Sequence, residues 1–241
     1  MQAVKPGMME YQLEAEYIHE FMRHGSRSPA YPSIVGGGAN SCILHYIENT
    51  GKLKAGDLVL VDAGCELEHY ASDITRTFPV NGTFSKPQQA LYELVLASQY
   101  AAIEATHPDN HWNVPHEQVV NILTQGLIDL GLLKGEFNEQ VETEGYRQFF
   151  MHRTGHWLGL DVHDVGDYRI QEQWRQLEPG MALTVEPGLY VAPDDTSVDE
   201  QWRGIGIRIE DDVLVTKTGC EVLSHEVPKD VAEIEKIMKG S

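Results

Sequence analysis

Two twelve-residue stretches of this chain, 124 residues apart, share one skeleton, and this repeat restricts the fold more than any other feature. Leu53-Lys-Ala-Gly56-Asp-Leu-Val-Leu-Val61-Asp62-Ala-Gly64 aligns without a gap on Leu177-Glu-Pro-Gly180-Met-Ala-Leu-Thr-Val185-Glu186-Pro-Gly188. Leu, Gly, Val and Gly recur, and an acid matches an acid. Each copy reads as a turn, an apolar strand ending in a carboxylate, and a second turn at Gly. A further strand follows each copy and brings another acid, Asp73 in the first and Glu210 in the second. The expectation is two similar α+β halves facing each other in one domain, residues 1–241. With 41% hydrophobic residues, a chain of 241 residues can fill such a core.

Around the repeat, the spacing of apolar residues predicts three helices. The first covers 9–24, with Leu13, Tyr17, Ile18, Phe21 and Met22 on one face and Gly25 as the stop. The second covers 86–106, with Ser85 as N-cap, Pro87 in the first turn and a stripe of Leu91, Leu94, Val95 and Ile103. The third covers 115–132. Strands are predicted at 41–47, 58–63, 71–80, 181–191 and 205–216, with loops at Gly36-Gly37-Gly38 and 192–203. Strand-like sequence resumes directly after each loop, so no domain boundary is expected.

Charge removes whole classes of function. Asp plus Glu number 37 against 18 Lys plus Arg, a formal charge of −19. A general nucleic-acid binder needs a basic stripe to displace phosphate counterions, and an anionic membrane surface makes the same demand. Cys42, Cys65 and Cys220 are scattered, odd in number and form no CxxC pair, which suits reduced thiols in a cytoplasmic protein. No apolar run of signal-peptide type opens the chain, and no stretch approaches the ~18 apolar residues of a membrane span.

The repeated acids are the candidates for chemistry. Asp62 closes Leu58-Val59-Leu60-Val61, a run without polar alternation that reads as a strand buried on both faces. A turn centred near Leu67 and Glu68 would set Asp73 almost opposite Asp62. Two facing carboxylates, buried without a cation, would cost several kcal/mol by rough estimate. Ordinary ion pairs offer one answer: Arg76 for the first pair, and Arg208 with Glu210 for the second. The recurrence of the problem at Glu186 and Glu210 favours a bound cation instead. His156, between Gly155 and Gly159, adds an imidazole, although a lone His among apolar residues is commonly a core group. Four carboxylates and one imidazole suit Mn²⁺, Co²⁺, Fe²⁺ or Zn²⁺ in a two-metal site, and two divalent ions would cancel the four negative charges. HExxH, GxSxG, P-loop and GxGxxG patterns are absent.

Longer motifs then carry a family resemblance. They are Ser33-Ile-Val35, Ile43-Leu-His45-Tyr46, Val61-Asp62-Ala-Gly64, Ala71-Ser-Asp73-Ile-Thr-Arg76-Thr-Phe-Pro-Val80, His156-Trp-Leu-Gly-Leu-Asp-Val-His163-Asp164, Thr184-Val-Glu186-Pro-Gly-Leu-Tyr190 and Gly206-Ile-Arg208-Ile-Glu210-Asp211. The chain resembles the catalytic domain of bacterial Xaa-Pro aminopeptidases, within the pita-bread metallopeptidases. That resemblance implies a curved, mostly antiparallel sheet covered by helices, in two pseudo-symmetric halves. It implies a dinuclear centre, usually manganese, held by Asp62, Asp73, His156, Glu186 and Glu210, with His45, His152, His163 and Arg208 lining the substrate site. His45 as a core imidazole and Arg208 as a mere ion-pair partner are the plain alternatives. Relatives carry an added N-terminal domain that is expected to be absent here, which would weaken a homo-oligomer. One departure is visible: Arg153 follows His152 where family members usually carry Gly.

The implied reaction is hydrolysis of the N-terminal Xaa-Pro bond of peptides by a metal-bridging hydroxide. Glu186 would move the proton, while His163 and His45 would hydrogen-bond the tetrahedral intermediate. Proline lacks an N–H and has a locked φ, so such substrates need a dedicated pocket. The competing readings are a prolidase confined to Xaa-Pro dipeptides, a methionine aminopeptidase, and a non-catalytic pita-bread module that binds peptide or protein.

Overall fold

The computed structural model describes residues 1–240. In chain order its helices and strands are α1 (Glu10–Arg23), β1 (Ser28–Pro29), β2 (Ile34–Gly37), β3 (Leu58–Asp62), β4 (Cys65–Leu67), β5 (Tyr70–Ala71), β6 (Thr75–Pro79), α2 (Lys86–Ala105), α3 (Val114–Asp129), α4 (Phe137–Glu142), β7 (Arg169–Ile170), β8 (Gln173–Trp174), β9 (Ala182–Val185), β10 (Gly188–Val191), β11 (Ile205–Arg208), β12 (Asp211–Thr216), β13 (Gly219–Val222) and α5 (Val231–Met238). The three predicted helices are α1, α2 and α3. Ser85 and Gln88 form a reciprocal cap at the start of α2, and Gly25 and Gly131 follow α1 and α3 with positive φ. Leu91, Val95 and Ala102 are buried under α2, and Leu94 packs where Gly126 of α3 leaves no side chain in the way.

The two halves are two long antiparallel hairpins. In the first, Leu58 to Asp62 pair with Pro79 to Thr75, and the same register resumes beyond Gly64 with Glu66 opposite Ala71. Glu68 and His69 turn the tip, both with positive φ as a two-residue turn of this hand requires. In the second, Val185 faces Asp211 and Gly188 faces Arg208, one register on both sides of Glu186-Pro187. Predicted strands 71–80, 181–191 and 205–216 are therefore each broken once, at or beside a site residue. Every strand pair in the fold is antiparallel. The fold is α+β, as expected.

A seam joins the hairpins. Glu210 N–H donates to Thr75 O at 3.1 Å, and the Thr77 hydroxyl donates to Arg208 O at 2.9 Å. Strand alternation then sorts the polar groups. Asp211 turns towards α2, where Gln99 Nε2 reaches it at 2.7 Å and Arg76 and Lys229 pair with it, also at 2.7 Å. Its neighbours Glu210 and Asp212 must point to the other face. Arg76 is thus committed to Asp211 and is not the counter-ion of Asp62 or Asp73 that the sequence permitted.

One predicted strand is absent. Residues 41–47 are the end of a 3₁₀ turn (Gly38–Cys42) followed by an irregular bend. Glu10, buried at the first residue of α1, ties this bend and its flanks together, accepting from Gly37 N, Asn40 Nδ2, Tyr46 Oη and Gly51 N at 2.6–3.0 Å. Helices α4 and α5 were missed because one is six residues with none buried and the other buries only Ile234. Among the described residues no helix is long and apolar enough to cross a membrane.

Candidate metal centre and active site

All nine residues singled out from the sequence line one cavity of about 500 Å³: His45, Asp62, Asp73, His152, His156, His163, Glu186, Arg208 and Glu210. Each arrives by a local rule. Asp62 ends β3 at a point where Gly64 must follow, since a Cβ there would sit 1.6 Å from Ser72 O. Asp73 lies opposite Gly64 and not opposite Asp62, whose partner is Thr75. The turn is centred one residue later than expected, which slides the register by two and keeps both carboxylates on one face. The same register makes Thr75 the counterpart of Glu210, and Asp73 the counterpart of Arg208, so the two second-strand acids are not equivalent by symmetry as the repeat had suggested.

His156 sits on an extended segment hydrogen-bonded along β9, with Glu186 N–H donating to Thr154 O at 2.8 Å and Thr184 N–H to His156 O at 3.0 Å. Gly155 permits this, because a Cβ there would lie 2.0 Å from Thr184 O. His45 and His163 lie exposed on the cavity wall, the first in a turn.

The donor atoms of Asp73, His156 and Glu210 lie within 4.8 Å of one another, close enough to share an ion. His156 Nε2 is 3.2 Å from Asp73 and 3.8 Å from Glu186. Asp62 borders this cluster but is paired at 2.7 Å with Arg208, which is therefore the partner of Asp62 and not of Glu210. Arg208 also donates to Tyr190 Oη at 2.9 Å, and that hydroxyl meets His152 Nε2 at 2.8 Å. Thr75 donates to Glu210 at 2.6 Å, and Asp212 receives the Asp73 N–H at 3.1 Å. Sequence reasoning missed Tyr31, whose hydroxyl lies 2.6 Å from Asp62 and 2.5 Å from Asp73. Thr75 could have been found from the hairpin register; Tyr31 lies outside both repeats.

Electrostatics follow from this crowding. Burial pushes Glu186 up to about 7, with His156 and Arg208 pulling the other way. Burial also drives Glu210 far above the carboxylate range, helped by Asp73 and Glu186, and it raises Asp73. Burial works against a charged His156, yet the bond to Asp73 and the charge of Glu186 lift it to about 9. His152 goes the other way, down to about 4, through burial and Arg208, and burial likewise lowers His163.

Without ions, burial disfavours the charged forms of Asp73, Glu186 and Glu210, so the pocket is built for positive charge. Tyr31 has one proton to give and two carboxylates to satisfy. The donors are oxygens plus one imidazole, a set that fits hard or borderline divalent cations.

Residues 1–217 match the model of metallopeptidase family M24. This chain belongs to metallopeptidase family M24. The M24 domain is 55% identical over 238 residues to an Xaa-Pro aminopeptidase of Haemophilus influenzae and 54% identical to one of Escherichia coli; each alignment takes in 99% of this chain. It spans about half the length of these relatives, 55% and 54%. Among solved structures, an aminopeptidase of Pseudomonas aeruginosa superimposes with a TM-score of 0.98 at 59% identity, over 99% of this chain and 54% of that one. Proline aminopeptidase P II of Yersinia pestis gives 0.97 at 55% identity, over 100% and 55%. The M24 domain therefore has the pita-bread fold of aminopeptidase P.

Proposed function

We propose that the M24 domain is a metal-dependent aminopeptidase that releases the residue preceding an N-terminal-proximal proline. The observation that carries this reading is the meeting of four carboxylates, His156 and three further imidazoles on one cavity. The names of the relatives supply the substrate class. Asp62, Asp73, His156, Glu186 and Glu210 would hold two divalent ions, with Mn²⁺ the expected metal. The Arg208 pair refines the charge argument: with one guanidinium among four carboxylates, two divalent ions exceed neutrality by one, and the site then also welcomes one anion. Bound there, the ions supply Lewis-acid polarisation of a carbonyl and a lowered pKa for water.

The protein's own groups do the remaining work. Glu186, beside His156 on the cavity, is suited to take a proton and pass it to the leaving nitrogen. His163, with its charged form disfavoured, and His45 stand on the wall as hydrogen-bond donors for a developing oxyanion. The chain Asp62–Arg208–Tyr190–His152 fixes the His152 ring for substrate contact. The three free cysteines suit a cytoplasmic setting, and residues 1–241 act as one catalytic domain.

The test is hydrolysis of Xaa-Pro-Yaa tripeptides with added Mn²⁺, with Asp73→Ala as control. Activity should fall roughly 10³-fold or more in the variant. Equal activity in both proteins would sink the reading, and cleavage of dipeptides alone would replace it with a prolidase.

A further inference from the structure

The floor of the cavity is acidic, but its rim carries a cation that no acid answers. Arg153 lies on the same cavity wall as Trp112, Tyr168 and Trp174, three residues before His156. Its side chain is exposed and donates to the neutral Asn113 Oδ1, and its guanidinium carbon lies 5.2 Å from the Trp174 ring centre. Arg169 stacks on the same indole at 3.8 Å, so two guanidiniums flank one ring. Glu117, an acid that acts on it electrostatically, is already held by the Asn113 amide at 2.6 Å. In a chain with 37 acids, Arg153 forms no ion pair among the described residues.

We propose that Arg153 is a specificity-determining residue that binds the C-terminal carboxylate of short substrates, so that the site favours free-acid tripeptides over amidated or extended ones. The inference rests on the peptidase reading above. With the scissile bond over the carboxylate cluster, the two residues beyond it run outward and cover about 7 Å at ~3.3–3.6 Å each. A cavity of about 500 Å³ is of the size that encloses a small ligand, so the far end of a tripeptide reaches the rim. Of the five donors of a guanidinium, Arg153 spends one on Asn113, and the planar fork that remains matches a carboxylate.

The experiment compares an Xaa-Pro-Yaa tripeptide with its C-terminal amide on the Mn²⁺-loaded protein and on Arg153→Gln. KM for the free acid should be about tenfold or more below that of the amide, with kcat nearly equal, as one charge-assisted contact allows. Arg153→Gln should raise the free-acid KM to the amide value and leave the amide unchanged, while Arg153→Lys should keep part of the preference. Equal KM values in the unaltered protein, or a preference that survives Arg153→Gln, would overturn the proposal. If neither peptide is cleaved, the peptidase reading falls, and calorimetric titration of the two peptides decides the carboxylate contact. Tighter binding of the free acid, lost in Arg153→Gln, upholds it; equal Kd values reject it.

Discussion

Tyr31 has a single hydroxyl proton and faces Asp62 and Asp73 together, and burial with three nearby carboxylates drives its own pKa well up. It therefore stays a neutral donor that fixes the carboxylates from behind. Tyr31→Phe should lower Mn²⁺ affinity by roughly 10–100-fold, the usual effect of losing a group that orients metal ligands. Calorimetric titration reads this directly, and a change under about twofold would show that the carboxylates hold their positions unaided. Nothing in the sequence marks Tyr31, because its partners are 31 and 42 residues away and no periodicity connects them. Asp62 was legible for the opposite reason: it ends an uninterrupted apolar run. Arg208 was legible as a residue but not in its choice of partner. Two positions apart on one strand, it and Glu210 looked like a pair, whereas the seam brings Asp62 within 2.7 Å.

Among elements, hairpin pattern survived the passage from sequence to structure better than strand ends did. Both halves of the repeat are hairpins, but the turn position was off by one residue and the acids shifted by two. The bend at residues 41–47 had the composition of a strand, but the structure anchors it to the buried carboxylate of Glu10, more than thirty residues earlier in the chain. This gives Glu10 a measurable weight. Glu10→Ala strands four donors and should cost about 3 kcal/mol. Denaturant titration measures that loss, and a cost under about 1 kcal/mol would mean that the bend carrying His45 is held by other contacts.

For the molecule as a whole, the raised groups make stability depend on pH. Glu186 and Asp212 move from their ordinary values up to about 7, and His156 moves up to about 9. Each binds more protons folded than unfolded, so the ion-free protein loses stability as pH rises. The carboxyls act from about pH 4 to about 7, and His156 from 6.5 to about 9. Asp211, held at about 2 by Arg76 and Lys229 against burial, acts oppositely and only in strong acid. Tm after chelation should therefore fall between pH 5 and 8, roughly the span these values cover. The rise in Tm on adding Mn²⁺ should grow over the same span, because cations replace protons. An increment that shrinks with pH would contradict this assignment. The seam carries one more consequence. Asp62 and Asp73 are made well before the groups that complete their surroundings, Arg208 and Glu210. A nascent chain stopped before residue 210 therefore presents an unfinished cavity, and the site forms only once both hairpins have been made.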